Sequence, residues 1–130
     1  MQYFEAVYKE LEYLFIEKLP DYIEKTNKEH NDGIILKPFE NTKLAENCIN
    51  IPSFKFSFEQ AEYGEKDRII ENTVYEVSFE IKLQENTETR IILLSRYIEA
   101  INLMIEENQL WQNCRFTNIK KNTVFIRITV

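Results

Sequence analysis

The sequence predicts an α+β fold: an antiparallel β-sheet with N-terminal helices and one long central helix packed on it. Three observations lead there. Apolar residues recur every three or four positions over residues 3–18 and again over 87–107, the spacing of a one-sided helix. Over 75–83 and 123–130 apolar and polar residues alternate, the spacing of a strand with one buried face. The resulting order is helices, strands, helix, strands. At 130 residues the chain has the size of a single domain, 1–130, and can bury a core without metal or disulfide staples.

The first helix is expected from about Tyr3 to Lys18, with Phe4, Val7, Tyr8, Leu11, Leu14 and Phe15 on one stripe. Pro20 biases Leu19 away from helical geometry and suits a first helical position. A break is therefore expected there, followed by a short second helix to about Lys28 and the polar run Asn27–Gly33. In residues 34–53, Ile34, Ile35 and Leu36 have the composition of a short strand, and Pro38 and Pro52 punctuate the segment. From Phe54 the period becomes two, with Phe54, Phe56 and Phe58 alternating with Lys55, Ser57 and Glu59. Residues 60–72 then read as a long polar loop.

The strongest strand is Tyr75–Leu83, where Tyr75, Val77, Phe79, Ile81 and Leu83 alternate with polar residues. It is expected to be central or near-central, its odd-numbered side chains against the helix that follows. That helix runs from about Thr87 to Glu107, capped by Asn86 or Thr87. Its stripe is Ile91, Leu94, Tyr97, Ile98, Ile101, Met104 and Ile105. Strands near Cys114–Ile119 and Thr123–Val130, joined by Lys120-Lys121-Asn122, complete the sheet.

Composition narrows the function classes. The longest apolar runs are as short as Ile91–Leu94, so no bilayer span is expected. The opening MQYFEAVYKELEYLF has acids among its apolar residues and no basic lead, so no secretory signal is expected. Cys48 and Cys114 are then expected as reduced thiols in a cytoplasmic protein. His30 is the sole histidine and Gly33 and Gly64 the sole glycines, which leaves no metal centre, phosphate loop or cofactor motif to assign. No catalytic residue is assigned, and no enzymatic activity is expected. Lys55 between Phe54 and Phe56 has the make-up of a base-stacking patch, but period-two phenylalanines suit a core better. A net charge of −6 also argues against nucleic acid.

That charge is uneven. Residues 1–33 hold four Lys against eight Asp or Glu, whereas 109–130 hold Arg115, Lys120, Lys121 and Arg127 with no acid. Such asymmetry suits head-to-tail contacts between copies or complementarity within one copy. Glu106 and Glu107 close a helix at the end where its dipole disfavours them, which suits either a basic partner, Arg115 or Lys120, or a solvated helix end. Tyr13, Ile16, Ile92 and Leu103 fall off the helical stripes; they are the candidate subunit-interface residues, the alternative being cover by the short second helix or the long loops.

Three segments carry a family resemblance: YKELEYLFIEKLPDYIEKTNKEHNDGIIL, TVYEVSFEIKL and RIILLSRYIEAINLMIEEN. Together they resemble small tail proteins of long-tailed bacteriophages and prophages, of the tail-terminator or tail-completion (head–tail joining) class. The match includes the Leu-Pro step and an Arg-Tyr-x-x-Ala-Ile stretch at Arg96, Tyr97, Ala100 and Ile101. The resemblance implies a virion structural protein: a homo-oligomeric ring, often of six copies, between tail tube and head connector. It also implies an antiparallel sheet flanked by helices. The competing reading from a different class is a small acidic binding module, such as an immunity protein that masks a basic toxin.

Overall fold

The computed structural model describes residues 3–84, 87–108 and 113–130, with side chains left undescribed at 71, 87, 113–118 and 120. Its architecture is α+β. Four strands, β1 (Ser53–Lys66), β2 (Ile69–Lys82), β3 (Asn113–Lys120) and β4 (Thr123–Thr129), form an antiparallel sheet in the order β1-β2-β4-β3. The helices are α1 (Phe4–Glu12), α2 (Leu19–His30) and α3 (Thr87–Glu107). No helix among the described residues is long and apolar enough to cross a membrane.

The break expected at Pro20 is absent. Tyr13–Lys18 forms π-helical turns that join α1 to α2, and Leu19 keeps helical angles of φ −56° and ψ −38°. Its amide bonds to the Leu14 carbonyl, five residues back. A proline inside a helix donates no N–H and crowds the carbonyl four residues earlier. The wider π turn lets the chain pass it without stopping. One buried stripe therefore runs Val7, Leu11, Leu14, Phe15, Leu19, Ile23 and Thr26, with a step of five from Leu14 to Leu19. Asn31, in the left-handed region at φ 41°, ends α2.

Strand β2 lies inside the sheet, as its alternation predicts. On one side Phe54, Phe56 and Phe58 pair with Ile81, Phe79 and Val77; on the other Val124, Ile126 and Ile128 pair with Phe79, Val77 and Tyr75. Paired residues share a face, so these side chains form one apolar surface. The aromatic cover on that surface comes from the N-terminal helix, whereas α3 was the expected partner. Phe15 stacks on Phe79 with ring centroids 3.9 Å apart and planes at 5°. Phe4 lies against Tyr75 and Phe58, and Tyr8 meets Phe56 edge-on. Helix α3 packs beside α2 and adds Ala100, Ile101, Met104 and Ile105 to the same core. Phe54 is buried, which settles the Phe54–Lys55–Phe56 run as a core strand.

The polar loop expected at 60–72 is instead the distal part of a β-hairpin. The pairing continues to Lys66 opposite Ile69, closed by Asp67 and Arg68, both in the left-handed region at φ 53° and 67°. Two register shifts hid it. One at Glu59 moves the core-facing positions from Phe58 to Ala61, a step of three, and another falls where Gly64 and Glu65 face Asn72 and Ile70. A period-two pattern broken twice in twelve residues no longer reads as a strand.

Two further expectations are corrected. Ile34–Leu36 forms no strand, though Leu36 is buried. Ile91 is 66% exposed, and α3 turns Arg96 and Ala100 inward beside Tyr97, Ile101, Met104 and Ile105, which are buried as expected. Four consecutive apolar residues at 91–94 leave the phase of the stripe open, and tertiary contacts choose it. The cap assigned to Asn86 or Thr87 lies outside the described residues. Cys48 is a free, half-buried thiol, while the Cys114 side chain is outside them.

Phe79 is fully buried beneath Phe15, so Phe79→Ala is expected to cost about 3–5 kcal/mol in urea unfolding. A loss under about 1 kcal/mol would show that this ring does not anchor the helix–sheet contact.

Candidate functional site

Residues 31–52, between α2 and β1, belong to no helix or strand. Side chains hold them down. Asn27 donates to the Leu36 carbonyl at 2.9 Å and accepts from its amide at 2.8 Å, so one side-chain amide replaces a neighbouring strand. Asn41 does the same for Phe54 at the start of β1, with both bonds at 3.0 Å. The Glu12 carboxylate accepts from the Leu44 amide at 3.0 Å, and the Glu46 carboxylate accepts from the Thr42 amide at 2.5 Å.

Helix α3 supplies the other anchors, and they are residues of the Arg-Tyr-x-x-Ala-Ile stretch. The Arg96 guanidinium grips Asp32 with two hydrogen bonds, one of 2.9 Å, and also donates to the Ile34 carbonyl. Arg96 holds the Asp32 carboxyl well below the usual carboxylate range. The Tyr97 hydroxyl donates to the Lys37 carbonyl at 2.6 Å, and its ring stacks on Phe39 at 4.6 Å. Burial pushes that hydroxyl up to about 12. Its proton therefore stays in place across the physiological range.

Between this strap, the end of β2 and the start of α3 lies a cleft of about 230 Å³. Ile35, Pro52, Leu93 and Tyr97 supply apolar walls, and Lys37 and Arg90 supply cations. Among the described residues no Asp or Glu lines it. The Arg90 Nε is buried without a hydrogen-bond partner.

At the far end of the molecule the β1–β2 hairpin outruns the sheet. Strand β4 pairs with β2 over Val74–Glu80, and the backbone of Val130 pairs with Thr73. From Thr73, which faces Tyr63, the ribbon continues to Ile69 for about 13 Å at the usual rise per residue. Tyr63 and Ile69 are 59% and 67% exposed there, and Ile70 is exposed as well.

The sequence-predicted contact residues fare unequally. Tyr13 and Ile92 are exposed, with the Lys18 ammonium over the Tyr13 ring at 5.8 Å. Ile16 packs on the molecule's own core, and Leu103 is half-buried. Of the helix-end acids, Glu107 pairs with Lys25 of α2 at 3.6 Å and also bonds the Tyr22 hydroxyl, raising its pKa, while Glu106 accepts from Asn102 at 3.4 Å. The side chains of Arg115 and Lys120 lie outside the described residues. Arg127 of the basic C-terminal stretch bonds Glu76 at 2.6 Å and Glu62 at 3.1 Å, acids of the sheet rather than of residues 1–33. His30 joins α2 to α3 through Glu99 at 2.8 Å. Among the described residues no group of three or more His, Cys, Asp or Glu is placed to hold a metal.

Comparison with protein-family models, curated proteins and solved structures found no match to this chain.

Two predictions follow from the strap. Asn41→Ala strands the buried Phe54 amide and carbonyl and should cost about 1–3 kcal/mol in chemical unfolding; no measurable loss would show that the amide clamp is dispensable. Asp32 has a depressed folded pKa, so its contribution is present above its unfolded value of about 3.9 and lost as pH falls through the folded value. Asp32→Asn should therefore be less stable than the parent at pH 7, with the gap closing as pH drops below about 4. Parallel unfolding curves with a constant gap down to pH 2 (roughly the limit of reversible work) would contradict this.

Proposed function

We propose that this chain is a structural protein of a bacteriophage or prophage tail, of the tail-terminator or head–tail joining class. It acts by assembling into a ring with copies of itself and with tail-tube and connector proteins, and it performs no catalysis. It is made in the bacterial cytoplasm and becomes part of the virion. The observation that carries this reading is the projecting β1–β2 ribbon. An uncovered ribbon bearing Tyr63, Ile69 and Ile70 is a surface that gains by ordering against another protein. A ring subunit needs two different faces, because head-to-tail contacts are heterologous and close when the rotation permits. The ribbon at one end, with exposed Tyr13 and Ile92 elsewhere, supplies distinct faces.

The sequence resemblance supports the same class independently of the ribbon. The segments that carry it correspond to the continuous N-terminal helix through α1 and α2, the interior strand β2 and the inward face of α3.

Tyr63→Asp combined with Ile69→Asp should leave the melting temperature within about 2 °C of the parent, since both side chains are exposed. In a phage genome carrying the variant, electron microscopy should show tails that fail to join heads. Normal joined particles from the double variant would reject the ribbon as the contact, and normal particles from a full gene deletion would reject the tail function itself.

A further inference from the structure

We infer that the cleft between the 31–52 strap and the start of α3 is a binding site for a small carboxylate carrying an apolar side chain, a site separate from the ring contacts proposed above. The inference starts from an unanswered charge. Arg90 buries its Nε without a hydrogen-bond partner. A buried polar group is normally paired, and a guanidinium N–H more so than a neutral one. Lys37 lines the same cleft, and neither cation takes part in an ion pair among the described residues. In a chain of net charge −6, a cleft lined among the described residues by two cations and no carboxylate favours an anion.

The rest of the lining defines what the anion is attached to. Ile35, Pro52, Leu93 and Tyr97 form an apolar surround, and a volume of about 230 Å³ suits one side-chain-sized group rather than a nucleotide. A planar carboxylate matches the fork of a guanidinium, and Thr89, which also lines the cleft, carries a hydroxyl donor. The walls are also held rigidly. Tyr97 is fixed by its hydrogen bond to the Lys37 carbonyl, and the strap is fixed through Arg96 and Asp32. A site on fixed walls loses little conformational freedom when it is filled. Two sources fit this chemistry: a free branched-chain or aromatic acid, and the C-terminal carboxylate of a peptide ending in an apolar residue.

The test is an NMR titration of the full chain with 4-methylpentanoate, its neutral amide, and the peptide N-acetyl-Gly-Leu. Expected are saturable shifts confined to residues 35–37, 51–52 and 89–97, with the acid at least about tenfold tighter than the amide. Arg90→Met should weaken acid binding by about tenfold, and exposed Lys37→Met should weaken it without disturbing the fold. Tighter binding of the peptide than of the free acid identifies a peptide C-terminus as the source; the reverse identifies a small acid. Absence of saturation by about 10 mM, equal binding of acid and amide, or unchanged binding by both variants would overturn the assignment.

Discussion

Twenty-two consecutive residues, 31–52, have to be held against a folded core without helix or strand hydrogen bonds, and much of this structure answers that constraint. Backbone amides and carbonyls taken from water need partners. Leu36, Leu44 and Asn41 are buried, so the strap does enter the interior. The partners are side chains from three directions: Asn27 from α2, Glu12 from α1, and Arg96 with Tyr97 from α3. These bonds fix the rotation of α3 about its axis. They also place the strap over the end of β2, and the cleft is the space left between them. The buried Arg96 is thus explained by architecture, since its guanidinium holds two parts of the chain 62 to 64 positions apart.

Against that, the sheet is held largely by apolar contact on its inner face, with the Tyr75 hydroxyl also hydrogen-bonded to the Phe4 backbone. The seam of Phe54, Phe56, Phe58, Tyr75 and Phe79 meets Phe4, Tyr8 and Phe15 in a continuous set of stacked and edge-on rings. Each such pair adds to area burial about 0.5–1.5 kcal/mol. The seam stops at the Glu59 bulge, and the ribbon beyond has no cover from the rest of the chain at Tyr63 or Ile69. One hairpin therefore has two roles along its length. Its base is core, and its tip is surface that exposes apolar side chains. Cross-strand charges near the join, Glu62 and Glu76 around Arg127, tie the base of the ribbon to β4 and stiffen it there.

The sequence alone determined the fold class, the interior position of β2 and the apolar identity of the core, because strict alternation and three-or-four spacing report burial directly. It also singled out Arg96, Tyr97, Ala100 and Ile101, whose side chains all proved buried. Tertiary structure decided the rest. Pro20 reads as a stop because local rules treat a helix as four-residue hydrogen bonds; only the packing of Leu14, Leu19 and Ile23 on one core makes a π turn the better solution. The hairpin at 60–72 was illegible because two register shifts break the alternation, and a bulge is recognised only from its partner strand. The strap and its cleft were illegible for a related reason. Asn27, Asn41 and Arg90 are ordinary polar residues in sequence, and their meaning depends on backbone and cavity walls brought to them from elsewhere in the chain.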